Sequence, residues 1–584
     1  MNFKKLLVAA LPAMLLASCA SDEPGVNPGG ESTKGGFYAT IKLDASSTRS
    51  NTTENPDGDG VNSNAGYEKD KPYESNINNV TIVLATKEGE NAPYLAQAYG
   101  TYTSSDVAAN PDATKSNVYT IQFQDTLISE LAGKNVYIFA YCNTSLDESN
   151  FKPGTNLEDM ETQLESEGVG QGIWTPSHFM MANALNRPVP TKDMTSLTKK
   201  DLLNNYNSPE KALNLGLVDV SRVAARFDYK QVNENKYPIV DPNDDSKVIA
   251  NIEMVSMAPF NIAKKFYTLP RVSADGQKTG WEICGNEVYN MSTGVGNYVV
   301  SPYAEAIKNA STMASLAGNY FQALVAGNSY DAAYFTKKTD YVNIAAWYEG
   351  AEDDNDENWN EGDHDGYKIW RYVSENTIPL VDNQKKGIST GVVFKAKLTD
   401  ATGLMQQAMD NNKPIYFYNG TCYGDIANLR RVVANLDVNA AMRINFEKVF
   451  AGKEYLVFEK AADGTRNYKV ADDKLVDATS SENNSIFKII RPDESGTYYL
   501  YYVYYNRHND NGNNSVMAPM EFATVRNNVY KLSVTKVSDF GHTNDPKDDP
   551  DPENPDHPDE TPKTYFQVSC RVLPWIVRIN NIPF

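Results

Sequence analysis

The chain has little of what most catalytic and metal-binding proteins need. Cysteine and histidine each occur five times in 584 residues. Cys19, Cys142, Cys284, Cys422 and Cys570 never form a C-x-x-C pair, which excludes a zinc knuckle and a small disulfide scaffold. Buried free thiols are the simple reading, and a pair such as Cys284 with Cys422 stays open. The histidines form no H-E-x-x-H spacing, and His542 and His557, at or inside an acidic stretch, read as solvated. There is no G-x-S-x-G elbow, no phosphate loop and no G-x-G-x-x-G after a strand. Positive charge is also short: 54 Lys and Arg against 75 Asp and Glu leave a net charge of -21. That excludes nucleic acid as a partner and docking on anionic lipid, both of which need clustered cations.

Three stretches imitate chemistry. Ser196-x-x-Lys199 with a later Lys278-Thr279-Gly280 copies two of three elements of a penicillin-binding serine enzyme, but the middle S-x-N is missing and Ser196 reads as the start of a short helix. "EDDNDENWNEGDHDG" (352–366) is rich in carboxylates yet lacks the glycine at the sixth position of a calcium loop, so it reads as a solvated loop. The tyrosines of 498–505 could stack on glycans, but alternating Tyr is also what a sandwich strand needs on its two faces. The expectation is no enzyme, no metal and no cofactor.

What is present lies mostly at the two ends. Lys4 and Lys5, the apolar run Leu6 to Leu16 and then Leu-Ala-Ser-Cys form a signal peptide over 1–18 with a lipobox, making Cys19 the lipidation site; a plain signal peptide is the alternative. The apolar run is too short to span a membrane. Asp22 and Glu23 behind Cys19 resemble an acidic surface-export signal. "FYATIKL" (37–43) puts Phe37, Ala39, Ile41 and Leu43 on one face, the pattern of a half-buried strand. A long polar stretch follows and holds Arg49, the only Arg before Arg187.

Between the ends, β-like runs such as "NVTIVLATK", "NVYIFAYCN", "VDVSRVAARFDY", "TGVVFKAKL" and "NNVYKLSVTKV" alternate with short helical patterns, among them "YAEAIKNASTMASLAGNYFQALVAG". The polar stretch 232–246 reads as a loop. The pattern predicts a mainly β chain with α+β inserts: two β-sandwich-type domains in tandem, at 50–222 and 223–544, behind a propeptide at 19–49.

Residues 545–560 carry eight acidic residues and five prolines, too polar to fold and extended by repulsion. At roughly 3.1 Å per residue this stretch, the bulk of a linker at 545–563, reaches on the order of 50 Å. Behind it lies one more apolar strand, 564–584. Phe566, Val568, Cys570 and Val572 share a face, Pro574 interrupts, and Trp575, Val577 and Ile579 alternate again. At roughly 1.5–3 kcal/mol per large side chain, about six such groups are worth on the order of 10 kcal/mol before ordering costs.

These pieces in this order ("FYATIKLDASSTRS", "VSRVAARFDY", "VVFKAKL", "TVRNNVYKLSVTKV", the linker and "FQVSCRVLPWIV") resemble the Bacteroidales type V pilins, the fimbrillins, and are most similar to the major subunits of the short fimbriae, more distantly to FimA-like ones. The resemblance implies transthyretin-like sandwiches, a lipoprotein precursor on the outer membrane surface, and cleavage by an Arg-specific surface protease after Arg49. Ser50 departs from the small apolar residue usual after that bond. It further implies that removal of the leader strand opens a groove which the strand Tyr565 to Phe584 of another copy fills, with tip and anchor pilins as accessory partners and an adhesion ligand that the sequence does not identify. The tethered leader has four inward groups, one only Ala39, and its high effective concentration keeps the donor out until the chain is cut. The alternatives are a tail that folds back on its own domain, a monomeric glycan-binding surface lipoprotein, and a tip or anchor subunit.

Overall fold

A computed structural model describes residues 34–44, 68–69, 71, 74, 76–89, 92–103, 118–144, 148–158, 179–184, 194–273, 282–284, 298–310, 313, 316, 320–322, 341–351, 366–450, 456–460, 466–470, 475–476, 487–508, 512–513, 515–546, 556–559 and 566–576. The architecture is mainly β, with helices inserted between strands.

The N-terminal half builds one seven-stranded sheet from β1 (Lys34–Asp44), β3 (Asn79–Thr86), β4 (Leu95–Thr103), β5 (Val118–Leu127), β6 (Val136–Cys142), β7 (Met181–Asn183) and β8 (Leu213–Arg222), in the order β4-β3-β6-β7-β8-β1-β5. The Val- and Ile-rich runs of the sequence fall on β3, β5 and β6, where branched side chains pack on the pleat. The two ends of this sheet approach one another. A Cβ on Gly100 of β4 would lie 2.4 Å from Ile121 of β5, so only glycine permits the contact. Beside it Tyr102 and Tyr119 meet edge to face at 5.1 Å. The sheet thus curls over a shared interior.

The alternating run at 218–229 reads as a single strand but divides at Val223. Its first part ends β8 and its second is β9 (Ala224–Tyr229), in a different sheet. The stretch predicted as a loop at 232–246 is instead a hairpin, β10 (Lys236–Asp241) turning into β11 (Asp244–Phe260), because Tyr237 and Ile239 alternate inward among polar neighbours. β11 pairs with β13 (Gly391–Ala401), which pairs with β17 (Tyr499–Tyr505). The facing sheet runs β12-β9-β18-β19-β2, with β2 at Glu68–Lys69, β12 at Lys368–Ser374, β18 at Asn528–Val537 and β19 at Phe566–Ile576. Tyr229 packs on Phe394, Phe566 on Phe394 and Tyr502, and the Tyr237 hydroxyl donates to the Val534 carbonyl, so the two sheets share one interior. This is the sandwich arrangement. Tyr498, Tyr502 and Tyr504 are buried in it, and Tyr501 and Tyr505 are buried in a second cluster on the opposite face, as core rather than platform.

Helices α2 (Gly403–Asp410), α3 (Ile426–Ala434) and α4 (Ala441–Phe450) pack with β14 (Ile415–Tyr418), β15 (Thr421–Gly424) and β16 (Phe487–Ile490) on one flank. Earlier in the chain, α1 (Lys199–Asn205) is capped by Thr198 and Asp201, so Ser196 only precedes the capped turn. Among the described residues, the long helical pattern predicted after 303 is helical at Ala304–Asn309 and again at Leu316 and Tyr320, while Phe321–Gln322 forms a strand.

Candidate strand-exchange site

The leader strand β1 lies inside its sheet, not at an edge. It pairs antiparallel with β5, Phe37 opposite Phe123 and Ile41 opposite Tyr119, and parallel with β8, Ala39 opposite Leu213. Phe37, Ala39, Ile41 and Leu43 are each 0–1% exposed, and Phe37 stacks on Phe123 at 5.1 Å. Lys42 on the other face is exposed. Taking β1 away would leave two facing strand edges and an apolar slot one strand wide. Tyr119 and Cys142 are buried in this interior. Burial raises the Tyr119 phenol pKa and pushes the Cys142 thiol up to about 12, so Cys142 stays protonated and inert near neutrality. Cys142, Cys284 and Cys422 are free, which removes the Cys284–Cys422 bond left open by the sequence. The side chain of Cys570 is outside the described residues.

The chain that follows the polar stretch holding Arg49 is clamped at Glu74. Glu74 is fully buried and accepts from Arg226 Nη1 at 3.1 Å and from the Tyr372 hydroxyl at 2.6 Å. Arg226 also pairs with Asp228 at 2.8 Å, while Arg222 donates to the Glu74 carbonyl at 2.8 Å and to Asn527 at 3.2 Å. Three parts of the fold therefore meet on one carboxylate. Ionised groups at zero exposure persist only when matched in this way. The sequence signal was Arg222, Arg226 and Asp228 in an otherwise apolar run; nothing local marked Glu74 as their partner.

The predicted donor strand is docked in cis. β19 runs antiparallel along β18, from Phe566 opposite Val537 to Pro574 opposite Asn528. Phe566 is buried, Val568 half-buried, and Gln567 and Ser569 exposed, in keeping with the predicted alternation at this end. Cys570, Val572 and Trp575 lie further along the same strand, while Val577 and Ile579 lie outside the described residues. Pro574 does not interrupt β19 as the sequence suggested. It falls at the end of the β18 ladder, where a missing N–H costs least, and the next two residues pair with Glu68 and Lys69 of β2.

The linker is not wholly unstructured either. Asp556 accepts from the Met313 N–H at 2.7 Å, the His557 carbonyl accepts from the Lys386 N–H at 3.1 Å, and Pro558 bridges Lys385. Asp559 is buried and accepts from the Ser389 hydroxyl. His557 is exposed as expected, whereas His542 is buried because its main chain pairs with Tyr501. Cys19, Arg49, Ser50 and the acidic loop up to residue 365 lie outside the described residues. Among the described residues no group of His, Cys, Asp and Glu could hold a metal.

Residues 496–581 match the family model of the major fimbrial subunit protein type IV, fimbrillin, C-terminal. That segment spans β17, β18 and β19, so this part of the chain is fimbrillin-like. Among solved structures, a fimbrilin (fimA) from Porphyromonas gingivalis is 12% identical with a TM-score of 0.35, covering 93% of this chain and 98% of its own. The tip fimbrial protein Mfa3 from Porphyromonas gingivalis, with a C-terminal truncation, is 7% identical with a TM-score of 0.28, covering 92% and 100%. A fimbrial assembly protein from Parabacteroides distasonis is 12% identical with a TM-score of 0.23, covering 46% and 76%. Likeness at these scores carries no weight beside the C-terminal family match. No curated protein matches the chain in sequence.

Proposed function

We propose that this protein is a structural stalk subunit of a cell-surface fimbria, a type V pilus, that polymerises by strand exchange and so supports adhesion and biofilm. It is exported as a precursor lipidated at Cys19, cut between Arg49 and Ser50 by an Arg-specific surface protease, and relieved of the leader β1. A C-terminal strand from a second copy, drawn from Tyr565–Phe584, then fills the vacated slot, main chain pairing with main chain as in strand addition generally. Tip and anchor pilins are its accessory partners, and the role needs no cofactor. The observation that carries this reading is the position of β1: the first described strand, paired on both sides, and followed in sequence by the polar stretch that holds the first Arg of the chain.

The buried Glu74 fits the same scheme. It holds the chain downstream of the cut, so that losing the leader does not unravel β3 and its neighbours. A second reading also has an observation in its favour. Because β19 pairs in cis, the tail could be an ordinary last strand of a monomeric, glycan-binding surface lipoprotein. Limited digestion of the non-lipidated precursor (residues 20–584) separates the two. The stalk reading expects release of 20–49 and a ladder resistant to mild SDS, with Arg49→Ala giving neither. A protein that is cut, loses its leader and remains monomeric favours the second reading.

A further inference from the structure

The sequence treats everything behind the acidic linker as one exchangeable unit, but the fold divides it. Four observations place the division at Pro574. First, β19 is hydrogen-bonded along β18 from Phe566 to Pro574, and the ladder ends there. Second, Phe566 is built into the sandwich interior between Phe394 and Tyr502, with ring centroids at 5.9 and 5.2 Å. Third, β18 is an interior strand whose Val529, Tyr530, Leu532 and Val534 are all 0% exposed. Without Phe566–Leu573 beside it, β18 would present an unpaired apolar edge in every assembled subunit, the kind of edge that proteins avoid. Fourth, Asp556 is fastened to Met313 and His557 to Asp559 to the 384–389 turn, so that only residues 560–565 join the fastened linker to the docked strand.

We propose that Phe566–Leu573 is a permanent strand of its own C-terminal domain and that the exchanged donor begins only after Pro574, with Trp575–Phe584. This rests on the strand-exchange reading and narrows it. Pro574 suits a joint because it has no N–H to break from a ladder. Beyond it, among the described residues, Trp575 and Ile576 pair with the two-residue strand β2. The donor is then ten residues, close in length to the eleven of β1 that it replaces. The division also sets the spacing of the polymer: a donor that starts at a fixed Leu573 requires the neighbour's slot to lie against the C-terminal domain, whereas a free leash would allow a loose joint.

A reversible lock between β18 and β19 tests the division. Ser533 and Ser569 are opposite one another in the ladder, so Ser533→Cys with Ser569→Cys can be joined by a disulfide, in a Cys570→Ser background to prevent mispairing. The oxidised precursor, cut by the Arg-specific protease, is expected to form the same ladder as its reduced form. A ladder that appears only after reduction overturns the division while leaving strand exchange intact. In a second arm, the precursor ending at Pro574 is expected to melt like the full chain but, once cut, to give no ladder. If it polymerises normally, the donor does not lie beyond Pro574. If the unlocked, fully cut precursor gives no ladder at all, strand exchange itself fails, and the division with it.

Discussion

The first and last described strands, β1 and β19, have similar apolar patterns and opposite attachments. β1 is paired along both edges, with its four inward groups almost wholly inaccessible. β19 is paired along one edge, and among the described residues β2 covers two residues of the other. By contacts alone β1 is the better-held strand, yet it is the one the proposed mechanism removes. The difference teaches that exchange here cannot be driven by a poorly fitting leader. It depends on cutting the tether, which turns an intramolecular strand into a dissociable peptide.

The largest expected effect comes from the buried clamp on Glu74, outside both strands. Glu74→Ala takes the carboxylate from Arg226 and Tyr372, while Arg222 keeps the main-chain carbonyl of residue 74, and breaking such a buried pair costs about 3–5 kcal/mol. For domains of this size the melting temperature should fall by about 10 °C. A scanning calorimetry trace close to that of the wild type would contradict this account of the clamp.

Comparing the two strands directly, Phe37→Ala should destabilise the N-terminal sheet by about 3–5 kcal/mol, while Phe566→Ala, on a strand paired mainly on one side, should cost toward the lower end of that range. Their effects on assembly should differ more. Phe37→Ala loosens the leader and should speed its loss after cutting, followed by mass spectrometry; Phe566→Ala should leave that rate unchanged. Equal effects on leader loss would erase the distinction.

Asp559→Asn replaces a charge-assisted bond from Ser389 with a neutral one, worth about 1 kcal/mol, and should lower the melting temperature by about 2–4 °C without blocking the ladder. The smallest effect is chemical. With its pKa pushed up to about 12, Cys142 should resist alkylation at mildly alkaline pH in the folded protein and react only on unfolding, as counted by intact mass.

Much of this comparison was legible in the sequence, because it rests on period-two alternation. Phe37, Ala39, Ile41 and Leu43 share a buried face as the pattern required, and the runs at 79–86, 136–142, 391–401 and 528–537 are strands. What escaped depends on partners distant in sequence. Glu74 finds Arg226 only through the fold, and Tyr237 and Ile239 are hidden among residues that favour turns. The acidic linker was read from composition, which cannot foresee that Asp559 meets Ser389. Pro574 was read as a break because local rules forbid it inside a ladder, and its position at the ladder's end removes the conflict.

The central claim is that a C-terminal strand replaces the leader in the N-terminal slot. Its most direct measurement uses the precursor ending at Pro574, cut at Arg49 and freed of 20–49, to which a synthetic peptide of residues 575–584 is added. The account predicts that the peptide binds one to one, raises the melting temperature of the cut protein and leaves the uncut protein unchanged. A peptide that stabilises neither form, or tail-less protein that polymerises as well as the full chain, would contradict it.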